Sequence, residues 1–163
     1  MYYATPADLV QRFGAEELAQ VADRATPREV TPALLQLAIA ADPLAGWASS
    51  DVTAVNAALA NIEGAIGDAQ SAVDAYLSAR YTVPLATPPK IVQRMVCDVA
   101  RYYLHGDQAS DAVVKAFDAA MALCRDISTG KIAFGDVQSP KADSGVVEMV
   151  SGTRLWSREN RGL

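Results

Sequence analysis

The chain has 163 residues, of which 51% are apolar and 20% charged, and its formal net charge is −5. This balance fits one globular domain with a real core and an added arm, and it argues against a chain whose main task is gripping phosphates, which needs a dense cationic surface. Two distant cysteines, Cys97 and Cys124, without a C-x-x-C, and a lone His105 leave no metal set, so free buried thiols in a reducing compartment are expected.

The start, "MYYATPADLV", has no basic run followed by an apolar one and does not read as a signal peptide. No stretch approaches the roughly 20 uncharged apolar residues of a membrane span, so no membrane partner is expected and the protein is placed in the cytosol where it is made. Thr5-Pro6 marks a helix start, with Thr5 as N-cap, Pro6 at the first helical position and Asp8 in the first turn. Leu9, Val10 and Phe13 share a face, and Gly14 stops the helix. A second short helix, "AEELAQVAD", turns Leu18, Val21 and Ala22 inward. Residues 25–51 read as loop, then a short apolar helix from Pro32 ending before Pro43, then loop again with Trp47 pinned against the body. The expectation is a surface excursion with its own apolar anchor, or else a face for a partner.

Three longer patterns follow. Val55, Leu59, Ile62, Ile66, Ala69, Val73 and Leu77 form one stripe at helical spacing. Gly64 and Gly67 interrupt it at about 1 kcal/mol each relative to alanine, so either the helix bends or another backbone comes close. Ile91, Val92, Met95, Val96, Val99, Tyr102 and Tyr103 form the next, opened by Pro89 and closed by Gly106. Cys97 and Leu104 project from its other side, as on a central helix covered on two faces. The last runs from Ser110 to Gly130 with Val113, Phe117, Ala120, Cys124 and Ile127 as its stripe. Beyond Gly130, "KIAFG" suggests a short strand, "DVQSPKADSG" a polar loop, and "VVEMV" has strand propensity. The fold expected is mainly α: a three-helix core with two short N-terminal helices and a C-terminal β-hairpin or extended arm. Residues 1–130 would be the body and 131–163 the hairpin and arm.

No residue set points to catalysis. The serines have one histidine between them, and His105 lies at a helix end, where terminal carbonyls and the helix dipole suit it. Glu16 and Glu17 fit the positive end of their helix better than acid–base work. No glycine-rich loop has phosphate-binding spacing, and no cofactor is expected. "YLSARYTVPLATPP" is different: Arg80, Tyr81, Pro84, Pro88 and Pro89 read as a rigid corner between two core helices. Arg80 would cap the last carbonyls with its stem on Tyr81, or make an ion pair for which Asp98 is a candidate. In the tail, Arg154, Arg158 and Arg161 face a single Glu159 and are interleaved with Leu155, Trp156 and Leu163. That pattern suits a nucleic-acid arm or docking into a protein groove, and the acidic remainder of the chain favours docking. Val146, Val147, Met149 and Val150 are candidates for strand addition to a neighbour.

With these residues in view, the sequence resembles the neck proteins of Mu-like bacteriophages and prophages. The likeness is carried by "MYYATPADLVQRFGAEELAQVADR", "DAYLSARYTVPLATPPKIVQRMVCDVARYYLHG", "ALCRDISTGKIAFG" and the close "LWSRENRGL", in that order. Residues 27–50 depart from the usual family pattern, where the connection is shorter. The resemblance implies a helical head–tail connector of the head-completion adaptor type. It further implies a homo-oligomeric ring, twelve-fold, below the portal protein. The ring would contact the next neck or tail-terminator protein and pass DNA through its lumen without specific binding. A stopper or tail-terminator ring, which tends to be β-rich, and a small regulatory DNA-binding module are the alternatives. An enzyme is not expected.

Overall fold

The structure is a computed structural model, which describes residues 2–134. Six α-helices occupy them: α1 (Pro6–Phe13), α2 (Ala15–Ala22), α3 (Pro32–Ile39), α4 (Ser49–Leu77), α5 (Lys90–His105) and α6 (Asp111–Ser128), with a 3₁₀ turn at Gly106–Gln108. The helices are where the caps put them. Thr5 Oγ1 accepts from the Asp8 N–H at 3.3 Å while the Asp8 carboxylate accepts from the Thr5 N–H at 2.8 Å, a reciprocal capping box that starts α1. Gly14, at φ +89°, both ends α1 and opens α2, a conformation that a side chain rarely adopts.

The long helices α4, α5 and α6 form the body, and α4 packs most extensively on α5. Val55, Ile62, Ile66, Ala69, Val73 and Leu77 of α4 are buried, so the predicted stripe is the core stripe, although Leu59 is only half-buried. Helix α4 continues through both Gly64 and Gly67. On α5 every residue from 95 to 100 is buried, because α4 and α6 flank it while α1 and α2 cover it further. The two-sided covering expected of this central helix is therefore present.

Three expectations need correction. Trp47 is among the exposed large apolar residues, not pinned against the body. Ile91 is 42% exposed, although it falls in the apolar pattern of α5, because it stands in the first turn and lines an open cleft. Residues 131–134 form bends and no strand. Helix α3 is more than a surface anchor: Leu34 and Leu35 are fully buried, and it packs on α1, α2 and α4. The loop before it is gathered by Asp23, whose carboxylate accepts from the N–H groups of Ala25, Glu29 and Val30 at 2.9, 2.7 and 2.8 Å. The proposed hairpin, the strand-addition residues Val146, Val147, Met149 and Val150, and the docking residues Arg154, Leu155, Trp156, Arg158, Arg161 and Leu163 lie outside the described residues.

Candidate functional site

Two features of the body bear on function: the corner between α4 and α5, and a cleft on one side of α5.

The corner is tied from three directions. Tyr81, fully buried, ends α4 through its N–H to the Leu77 carbonyl at 2.9 Å. Its hydroxyl accepts from the Phe134 N–H at 3.0 Å, and the two rings lie 4.8 Å apart, so the chain leaving α6 is fastened to the corner. From the other end of the sequence, the Tyr3 hydroxyl donates to Asp74 Oδ1 at 2.6 Å and accepts from the Leu85 N–H at 2.7 Å. The Tyr3 N–H also donates to Gln70 Oε1 at 2.9 Å. Burial pushes the Tyr3 phenol up, and the carboxylate of Asp74 adds to this, so it stays protonated as a donor. Pro89 is the N-cap of α5 in extended conformation, and Pro88 and Pro89 are half-buried, whereas Pro84 is exposed after a cis peptide bond. The residues named for the corner stand between α4 and α5, and sequence reading missed Tyr3, whose partners lie some seventy residues away.

Arg80 does not pair with Asp98. That carboxylate is taken by Arg12 at 3.2 Å and Arg94 at 3.5 Å. The Arg80 guanidinium instead packs over Gly130, which stands at φ +80° just beyond α6. Its Nε is buried with no hydrogen-bond partner among the described residues. His105 likewise finds a side chain, not the carbonyls expected: its Nε2 lies 2.9 Å from Glu17 Oε1. Arg101 donates to the same carboxylate through two nitrogens, at 2.5 and 2.8 Å. Burial works against the Glu17 charge, but the hydrogen bonds from Arg101 and His105 outweigh it and hold the carboxyl below its ordinary value. This cluster joins α2 to the end of α5.

Both thiols are buried. Burial raises Cys97 to about 12 and Cys124 to about 11, so neither is a ready nucleophile. Among the described residues no group of His, Cys, Asp and Glu is placed to hold a metal ion. No helix among them is long and apolar enough to cross a membrane.

The cleft lies between α1 and α6, with one side of α5 as its floor. It has a volume of about 920 Å³. Met95 and Ile91 form its floor, Phe13 one wall, and Ala116, Ala119 and Leu123 the other. A neighbouring depression of about 550 Å³ shares Arg12, Ile91 and Arg94 with it and extends to Lys90 and Asp8. Arg101 lies over the Phe13 ring at 4.6 Å and stiffens the first wall. Sequence reading missed this cleft; the exposed Ile91 in an apolar pattern was its only local trace.

Residues 3–150 match the sequence profile of a family described as "Bacteriophage Mu, Gp36". Two curated proteins are similar to the chain. One is the "Mu-like prophage FluMu protein gp36" of Haemophilus influenzae, 29% identical over 102 residues that cover 61% of this chain and 72% of that protein. The other is "Gene product J" of Escherichia phage Mu, 28% identical over 105 residues covering 62% and 74% of the two chains.

Proposed function

The chain belongs to the bacteriophage Mu Gp36 family and is a phage structural or morphogenesis protein, and on that premise we propose that it is a head-to-tail connector of the adaptor type. Its place would be the virion neck, after synthesis in the host cytoplasm. There a ring of copies, twelve in the expected arrangement, would sit below the portal and extend the DNA channel towards the next neck or tail-terminator protein. The family match over residues 3–150 carries this reading. The body supports it in two ways. Its described residues hold helices and no strand, unlike the β-rich rings of stoppers and tail terminators. Its corner is cross-tied by Tyr3 and Tyr81, and a subunit that must close a ring needs fixed angles, because tilt errors accumulate from copy to copy. The net charge of −5 suits a lumen past which DNA slides without adhering.

In this reading the tail from 151 to 163, with Trp156 as anchor and its three arginines meeting carboxylates, docks on the portal. Deleting residues 151–163 is expected to leave a folded helical protein by circular dichroism that no longer co-sediments with portal assemblies. Normal joining by the truncated chain contradicts the docking role.

A further inference from the structure

We propose that the cleft between α1 and α6 receives a second copy of this chain, which lays the solvent side of its α4 into it. The proposal rests on the connector reading for its setting and supplies the subunit contact that a ring requires.

Three observations select this occupant. The first is charge. Lys90 and Arg94 stand at the cleft and its adjoining depression, and the Arg94 side chain is 66% exposed despite its contact with Asp98. Arg12 and Arg101 line the same cleft but are already paired with Asp98 and Glu17, and Asp98 and Asp126 line it as well, so the open positive charge is that of Lys90 and Arg94. Helix α4 has the opposite character: its 29 residues hold Asp51, Glu63, Asp68 and Asp74 and not one lysine or arginine. Asp74 serves Tyr3, which leaves Glu63 and Asp68 exposed on the helix surface. The exposed cations Lys90 and Arg94 and the acidic helix are thus complementary within one acidic chain.

The second is shape. The exposed side of α4 is small: Ala57, Ala60, Gly64, Ser71 and Ala75 recur along it. A Cβ placed on Gly64 would meet nothing within 4 Å, so no backbone among the described residues explains that glycine. A helix with so low a profile can sit close to the Met95 and Ile91 floor, in the manner of a helix laid into an apolar groove. Tyr2, 62% exposed, stands beside this surface at Gly67 and offers an aromatic anchor at its rim.

The third is direction. No residue of α4 lines the cleft, so cleft and complementary helix are two different surfaces of the body. A contact between two different surfaces joins copies head to tail, and it makes a closed ring when the rotation per copy divides the circle.

The test uses two full-length variants. One carries Lys90→Glu with Arg94→Glu; the other carries Glu63→Lys with Asp68→Lys. All four side chains are exposed, so both should fold, as circular dichroism will check. Sedimentation velocity on a concentration series up to about 1 mM reads self-association. The unaltered chain is expected to associate, and each variant alone to do so at least about tenfold more weakly, because like charges then face each other. A one-to-one mixture restores association, since each cleft now meets a helix of opposite charge. A chain that stays monomeric throughout, variants that associate as the unaltered chain does, or a mixture that stays apart overturns the assignment. Neck rings built through other faces would remove this cleft and keep the connector role. Copies that join through the cleft yet are absent from the neck would do the reverse.

Discussion

Tyr3 and Tyr81 show how much of the body hangs on single hydroxyl groups. Each phenol satisfies a backbone N–H in the corner, and removing a hydroxyl leaves that donor buried and unpaired. Tyr81→Phe should lower unfolding free energy by about 1–3 kcal/mol, and Tyr3→Phe by at least as much, because Asp74 also loses its donor. Urea denaturation measures both; unchanged midpoints would show that the corner is not held this way. Asp23 acts similarly on the loop before α3. Burial pushes its carboxyl up, but the N–H groups of Val30, Ala25 and Glu29 outweigh that and hold it below its ordinary 3.8. The folded value is therefore lower than the unfolded one. Its contribution is complete above pH 3.8 and is lost as pH falls through the lower folded value. Asp23→Asn should destabilise the chain by about 1–3 kcal/mol at neutral pH and flatten the stability profile below about pH 4. A variant that tracks the parent through that range contradicts the assignment. None of these partners could be read locally: Asp23 is an ordinary residue after a helix, and Tyr3 only an aromatic before a cap.

At the scale of elements, the glycines divide into two kinds. Gly64 lies within α4 with open space where a Cβ would stand, so Gly64→Ala should stabilise the isolated fold by up to about 1 kcal/mol through helix propensity. Gly130 stands at φ +80° under the Arg80 guanidinium, so Gly130→Ala forces both a strained backbone and displacement of a partly buried cation, and should cost about 1–3 kcal/mol. Thermal denaturation separates the two, and shifts of the same sign would refute the distinction. The long helices were legible because their burial is periodic and local: Val55 to Leu77 and Val113 to Ile127 announce their faces without reference to anything distant. Capping was equally legible at Thr5 and Pro6. What escaped was every pairing between helices. Arg101, His105 and Glu17 meet across more than eighty residues, and nothing near Asp98 reveals that Arg12, not Arg80, reaches it. Helix α3 was undervalued because its apolar residues spread around the short helix and leave no clear stripe to read, although Leu34 and Leu35 are its buried face.

For the whole molecule, the fold separates three tasks. The cross-tied corner fixes the angle between α4 and α5. Under the proposed self-association, the acidic α4 and the cleft carrying Lys90 and Arg94 are two unlike faces for neighbouring copies. Phe134 lies against Tyr81 at the corner itself, and under the proposed function the tail from 151 to 163 is the part that reaches the portal. A cryo-EM reconstruction of the assembled virion neck tests this account most directly. The prediction is a closed ring of this chain immediately below the portal, with the tail from 151 to 163 seated on the portal. Density for the chain elsewhere in the particle, or no density for it in the neck, would contradict the connector role.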